Sequence, residues 1–143
     1  FFSPYRTDIY KDAIASAKPG FEIASTVTTI VNPDVRAAMN FVKMSLGFYL
    51  GGMGAKDKNF HLDLARRLGW GAEADKVQEL FLAGRRQEAF AAVPDEMADE
   101  TALLGPPARI RERLEAWKKS PVTTLMVTAR DKDTLRLFAE AML

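Results

Sequence analysis

The run from Gly47 through Phe48, Tyr49, Leu50, Gly51, Gly52, Met53, Gly54, Ala55, Lys56, Asp57, Lys58, Asn59 and Phe60 to His61 gathers residue types that bind anions or bend a chain. An apolar helical stretch stops at Gly51-Gly52, turns through Met53-Gly54, carries Lys56 and Lys58, and restarts as a helix near Asn59. Glycine serves where φ must be positive or where a ligand must come close to the backbone. A helix N-terminus offers free N–H groups to an anion. The glycines, the two lysines and an Asn N-cap therefore describe an anion-accepting corner. They equally describe a plainer one, a C-cap glycine pair followed by a solvated lysine turn. Spacing alone leaves both readings open.

The rest of the chain narrows the chemistry chiefly by exclusion. It has no Cys, which rules out disulfides, thiolate metal sites and cysteine nucleophiles. The single His, His61, cannot make a multi-histidine metal centre, and no metal is expected. His61 titrates near neutrality in its free state, but beside Phe60 at a helix start its expected role is structural. Asp63, Arg66 and Arg67 stand at helical spacing as solvated charges. No nucleophile–base pattern, phosphate loop or paired carboxylates occur, so no catalytic residue is assigned. Lys and Arg number 20 against 19 acids, a net charge of +1 that argues against nucleic acid and anionic membranes as partners. No apolar run approaches the ~20 residues of a membrane helix and no leader is evident; the expected compartment is the cytoplasm.

At 143 residues, 48% hydrophobic and 27% charged, the chain is one domain's worth of globular polypeptide. Ser3-Pro4 reads as an N-cap and first helical proline, opening a helix with Tyr5, Ile9, Ala13 and Ala17 on one stripe until Pro19-Gly20. Phe21–Val31 is rich in β-branched residues and predicts a strand with no charged face, so both faces should be covered, as in a parallel α/β sheet. Asn32-Pro33-Asp34 predicts a helix start, Asn32 as the cap, with Val35, Ala38, Met39, Val42, Leu46, Tyr49 and Leu50 inward. A helix from Asn59 to Gly69 should bury Phe60, Leu64, Ala65 and Leu68. Another, over about Ala72 to Ala83, should bury Val77, Leu80 and Phe81 and end at Gly84.

Arg85–Val93 and Asp95–Leu104 read as shorter helical pieces. Gly105-Pro106-Pro107 opens an amphipathic helix that should bury Ile110, Leu114 and Trp117. Val122–Ala129 predicts the second strand, and Asp131 should cap a last helix with Leu135, Phe138, Ala139 and Met142 inward. Two strands cannot form an independent sheet. With so long a helical stretch between them, they read as two βα units of a larger α/β sheet or barrel. The opening Phe1-Phe2 points the same way, because exposed aromatics at a terminus suggest that a preceding segment covers them.

Five stretches taken together carry a resemblance: Tyr49-Leu50-Gly51-Gly52-Met53-Gly54, Asn59-Phe60, Leu64-Ala65-Arg66-Arg67, Leu82-Ala83-Gly84-Arg85-Arg86, and Ala92-Val93-Pro94-Asp95-Glu96. In this order they resemble the luciferase-like monooxygenase superfamily, and within it the deazaflavin (coenzyme F-420)-dependent oxidoreductases. Leu104-Gly105-Pro106-Pro107-Ala108-Arg109-Ile110 through Val122-Thr123-Thr124-Leu125 resembles the superfamily's last crossover helix and strand. One departure is Lys119-Ser120-Pro121, where the family usually has a glycine before that strand.

The resemblance implies the C-terminal portion of a (β/α)8 TIM barrel with a helix-rich insertion. Residues 1–20 would follow the sixth strand, 21–31 would be strand seven, 32–104 the insertion, and 105–143 the crossover helix, strand eight and C-terminal helix. It implies an oxidoreductase whose full-length form transfers a hydride between reduced cofactor and a small organic substrate, with F-420 as cofactor and flavin mononucleotide (FMN) as the alternative. It further implies a homodimer and a fragment that is inactive without the upstream barrel. In such barrels the site lies at the carboxyl ends of the strands, which draws attention to Ser3, Thr28 and Arg130. Gly51, Gly52, Met53 and Gly54 would line the entrance, and Lys58 would meet an anionic group. Two rival readings are a non-catalytic, helix-rich interaction module completed by self-association, and an unrelated helical domain whose two strands would not lie side by side in parallel.

Overall fold

A computed structural model describes every residue of the chain except Lys56 and Leu143. The fold divides into a sheet unit, Phe1–Ala38 with Glu100–Leu143, and a helical unit, Met39–Asp99.

The sheet unit holds three parallel strands in the order β2-β1-β3. Strand β1 is Ala24–Val31, β2 is Ala102–Gly105 and β3 is Thr124–Val127. The lower half of β1 pairs with β3, from Ala24 opposite Thr124 to Val27 opposite Val127. Its upper half pairs on the other side with β2, from Thr28 opposite Ala102 to Val31 opposite Gly105. The expected parallel neighbours are therefore present, which removes the reading of an unrelated helical domain.

Strand β2 is a correction. Asp95–Leu104 reads as helical, yet only Asp95–Glu100 forms a helix and the chain then extends. The segment Ala-Leu-Leu-Gly has no alternation because all four residues are buried, and a short apolar run bounded by a helix carries no period of its own.

Two helices cover one face of this sheet: α7, Pro107–Lys119, and α8, Lys132–Met142. Val27 and Leu103 from the sheet meet Ile110, Leu114 and Trp117 of α7 and Leu137 and Phe138 of α8 in one core. Burial of each large apolar side chain there contributes about 1.5–3 kcal/mol. Phe2 joins this core, its ring centroid 5.2 Å from Tyr10 and 5.5 Å from Trp117. Phe2 is thus partly covered from within the chain. The opposite face of β1 and β3 is bare: Ala24, Thr26 and Thr28, with Thr124 and Met126, are exposed. The expectation that both faces are covered is not met by these residues, although Ala102 and Leu104 of β2 on the same face are buried.

Local signals moved by a residue or two. Ser3 does not cap a helix; Thr7–Tyr10 forms one 3-10 turn and α1 is only Lys11–Ala15. Asp34, not Asn32, caps α2 (Val35–Gly52): its carboxylate accepts the Ala37 N–H at 3.0 Å, while Asn32 Oδ1 accepts the Asp34 N–H at 2.8 Å in an Asx turn. In α8 the buried stripe is Thr134, Leu137 and Phe138, whereas Leu135 is 56% exposed, because the sheet selects the i, i+3, i+4 face.

Asp131 does cap α8. Its Oδ1 accepts the Thr134 N–H at 2.7 Å and its Oδ2 the Thr134 hydroxyl at 2.9 Å. These bonds, the backbone one foremost, hold the Asp131 carboxyl below its ordinary 3.8. A depressed folded-state pKa means that protons bind the unfolded chain more readily. The contribution is therefore complete above about pH 4 and disappears as pH falls through the lowered value. Asp131→Asn keeps an acceptor without a titrating group, so its loss of melting temperature between pH 6 and pH 3 should be smaller than that of the wild type; calorimetry at the two pH values checks this.

The helical unit continues α2 and adds α3 (Phe60–Arg67), α4 (Gly71–Leu82), α5 (Arg86–Ala92) and α6 (Asp95–Glu100, of which all but Glu100 lie in this unit). Val42, Leu46 and Leu50 of α2 are buried, as the period predicts. In α3 the stripe is shifted: Leu62 and Ala65 are buried and Phe60 is 76% exposed. After α4 the chain reverses at Gly84, φ +77°, with the Arg85 N–H bonded to the Leu80 carbonyl at 2.9 Å. This is the C-terminal glycine cap that the sequence predicts.

Candidate functional site

In the helical unit the glycine corner is built mainly by packing. Gly47 and Gly51 lie one helical turn apart and share a face of α2. A methyl group at Gly47 would fall 2.6 Å from Phe90 Cδ1, and one at Gly51 would fall 2.8 Å from Phe81 Cδ2 and closer still to Phe81 Cβ and Cγ. At Gly52 it would meet the same Phe81 ring at 2.9 Å. These glycines let Phe81 and Phe90, themselves 6.3 Å apart between ring centroids, press onto the helix backbone. Gly54 is different: φ is +147°, and a Cβ would stand 2.7 Å from the Lys58 carbonyl oxygen. It permits the backbone crossing at which Ala55 and Lys58 pair.

Asn59 closes the corner. It is 3% exposed, and its side chain is used at both ends. Its Oδ1 accepts the N–H groups of His61 and Leu62 at 3.0 and 3.1 Å, the N-cap that the sequence predicts. Its Nδ2 donates to the Leu50 carbonyl at 2.8 Å and the Tyr49 carbonyl at 3.2 Å, so the end of α2 is tied to the start of α3. Two N–H groups that an anion would use at the α3 terminus are therefore already bonded. Met53, Gly54 and Lys58 remain exposed at the surface of the corner, and Lys56 lies outside the described residues. His61 packs on Tyr49, ring centroids 4.7 Å apart, and burial lowers its pKa below the ordinary 6.5. This agrees with a structural role, because a neutral imidazole suits a half-buried position at a helix N-terminus.

In the sheet unit the predicted residues separate. Thr28 is exposed on the bare sheet face, opposite Ala102. Arg130 is exposed just beyond β3, beside the Asp131 cap. Ser3 is 0% exposed: its hydroxyl donates to Glu100 Oε2 at 2.8 Å and accepts the Tyr5 N–H at 3.3 Å. The Glu100 carboxylate also takes both arms of Arg6, Nε at 2.8 Å and a terminal nitrogen at 3.1 Å. Glu100 and Arg6 leave no local pattern in the sequence, because the pair closes over 94 residues. Gly47 opens the glycine-rich run of the sequence, and its four-residue spacing from Gly51 is visible there.

The ends of β1 and β2 are joined at Gly105. Its φ of +112° and its contacts, a Cβ position 2.9 Å from Arg109 Cδ and 3.1 Å from Val35 Cγ2, admit only glycine without rearrangement. Its carbonyl accepts the Asn32 N–H at 3.1 Å, and an Arg109 guanidinium nitrogen donates to the Leu104 carbonyl at 2.7 Å. Among the described residues there is no group of three or more His, Asp or Glu able to hold a metal ion, and no helix long and apolar enough to cross a membrane.

Comparison with known proteins agrees with this architecture. Residues 6–124 match the family described as luciferase-like monooxygenase. A Mycobacterium tuberculosis protein, whose naming as a coenzyme F-420-dependent oxidoreductase is itself an inference, is 34% identical over 145 residues, covering 95% of this chain and 42% of that protein. The chain thus spans less than half the length of this curated relative. The solved coenzyme F-420-dependent tetrahydromethanopterin reductase of Methanopyrus kandleri superposes with a TM-score of 0.59 at 19% identity, over 84% of this chain and 34% of the reductase. At that identity the likeness speaks for the fold alone. The match over residues 6–124 establishes that this chain belongs to the luciferase-like monooxygenase family.

Proposed function

We propose that this chain is the C-terminal part of an F-420-dependent oxidoreductase that moves a hydride between the reduced deazaflavin and a small organic substrate. The observation that carries this reading is the half-covered sheet. Parallel sheets are normally covered on both faces, whereas here one face lies under α7 and α8 and the other, although buried at Ala102 and Leu104 of β2, is exposed across β1 and β3 at Thr26, Thr28, Thr124 and Met126. An exposed parallel face of this kind suits the inside of a (β/α)8 barrel, with Ala24–Val31, Ala102–Gly105 and Thr124–Val127 as three of its last strands and the helix-rich stretch 32–101 inserted between the first two. The upstream strands, in this reading, close the barrel, and the assembled protein is a cytoplasmic homodimer. The chain by itself lacks activity, having only part of the pocket wall.

The residues present fit the cofactor. The bare face carries hydroxyls and a thioether but no formal charge, which suits a flat ring with apolar faces and polar edges. In the sheet unit Thr28 would contact the ring and Arg130 an anionic part of the cofactor; in the helical unit the exposed Met53, Gly54 and Lys58 are separate candidates for ligand contact. Ser3 is engaged by Glu100 within the sheet unit, and Gly51 and Gly52 lie against Phe81 within the helical unit. The bound deazaflavin supplies the hydride chemistry; the protein's part is to hold the ring, orient the substrate and exclude water. F-420 is favoured over FMN by the names of the two relatives.

Titration of the full-length protein tests the reading. F-420 should bind with saturable fluorescence quenching and FMN at least tenfold more weakly. Tight FMN binding without F-420 binding would overturn the cofactor assignment, and binding of neither would overturn the function.

A further inference from the structure

We propose that Glu100 is a positioning residue that sets the register of β2 on β1 and, through it, the place of the Gly105–Arg109 corner at the ligand end of the sheet. This rests on the barrel reading above for its link to ligand, and on the geometry of the sheet unit for the rest.

Register is normally chosen by polarity, because a slip of one residue turns the apolar side chains outward. Strand β2 lacks that guide. Ala102, Leu103, Leu104 and Gly105 are all buried, so a strand displaced by one residue, about 3.3 Å, would still present an uncharged segment to both sides. Gly105 penalises a slip at one end, where a Cβ has no room. Glu100 supplies the fixed point at the other, two residues before Ala102 meets Thr28.

Its carboxylate is 14% exposed and fully engaged by Ser3 and by the paired nitrogens of Arg6, whose side chain is 30% exposed. A buried ion pair gains little over apolar packing once desolvation is counted. What it does supply is a single geometry, since any other placement strands the carboxylate or the guanidinium. The residues it holds, Ser3 and Arg6, come from the opposite end of the chain, so the arrangement ties the first turn to the start of β2. From there the strand is short enough that its far end follows: Gly105 accepts the Asn32 N–H, and Arg109 reaches back to the Leu104 carbonyl.

Glu100→Gln, Arg6→Met and the double variant, made in the full-length protein, test this with two readouts. Amide hydrogen exchange at Ala102–Gly105 should rise about tenfold in each single variant and no further in the double, while exchange in α4 stays unchanged. The Kd for F-420, and the KM that follows it, should rise about tenfold while kcat at saturating cofactor is retained. Unaltered exchange in β2 overturns the register role whether or not cofactor binds. Faster exchange with an unaltered F-420 Kd overturns the link to the ligand end. A wild-type protein that binds no F-420 overturns the functional reading and that link with it, and the exchange measurement alone then decides the register role.

Discussion

Asn59→Ala is expected to destabilise the helical unit by about 2–4 kcal/mol, more than an ordinary cap deletion. Loss of an N-cap costs about 0.5–2 kcal/mol, and here that is the bonding of His61 and Leu62. The same substitution strips the Leu50 carbonyl of the Asn59 amide that donates to it at 2.8 Å inside the unit. A buried carbonyl left without a partner adds about 1–3 kcal/mol. Asn59→Ser separates the two contributions, because serine caps a helix well but has no amide to reach α2. Urea unfolding followed by far-ultraviolet circular dichroism should rank the wild type above Asn59→Ser and that above Asn59→Ala. Equal stability of Asn59→Ser and the wild type would show that the bonds to Tyr49 and Leu50 contribute nothing.

Gly51→Ala should cost about 1–3 kcal/mol, the range for overpacking, and Gly51→Val more. An exposed helical Gly→Ala change normally stabilises by up to about 1 kcal/mol, so the sign itself is diagnostic. The cause is Phe81, whose Cδ2 would stand 2.8 Å from the new methyl group. Shortening that side chain should give relief: Gly51→Ala combined with Phe81→Leu is expected to be more stable than the sum of the two single changes predicts. Denaturant unfolding of the four proteins measures the coupling. A stabilising Gly51→Ala would mean that Phe81 does not press on the backbone of α2 in solution.

These two expectations show how differently neighbouring residues were legible. Asn59 could be read as a cap because capping is local: the accepting oxygen and the N–H groups lie within three residues. Its second role could not be read, since the amide finds carbonyls nine and ten residues back only after the chain has turned. Gly51 and Gly52 pointed to a ligand or a cap, because glycine marks close approach without saying of what. The approaching group proved to be Phe81, which no spacing rule connects with Gly51.

Helix ends and most apolar stripes were set by nearest neighbours along the chain. Gly84, Asp131 and the stripe of Ile110, Leu114 and Trp117 are where their residue types require them, because backbone hydrogen bonding and the 3.6-residue period act over a turn or two. The β-branched run that ends at Val31 likewise announces a strand. Which side of α8 faces inward, whether Ala102–Gly105 extends or coils, and what holds Ser3 were decided by partners distant in sequence. Leu135 is exposed because the sheet meets the neighbouring face of its helix. Leu103 and Leu104 extend because β1 offers a free edge beside them, and Ser3 is buried because Glu100 and Arg6 meet it. Such contacts arise from chain closure over roughly a hundred residues, and their free energy exists only once the whole sheet unit has assembled.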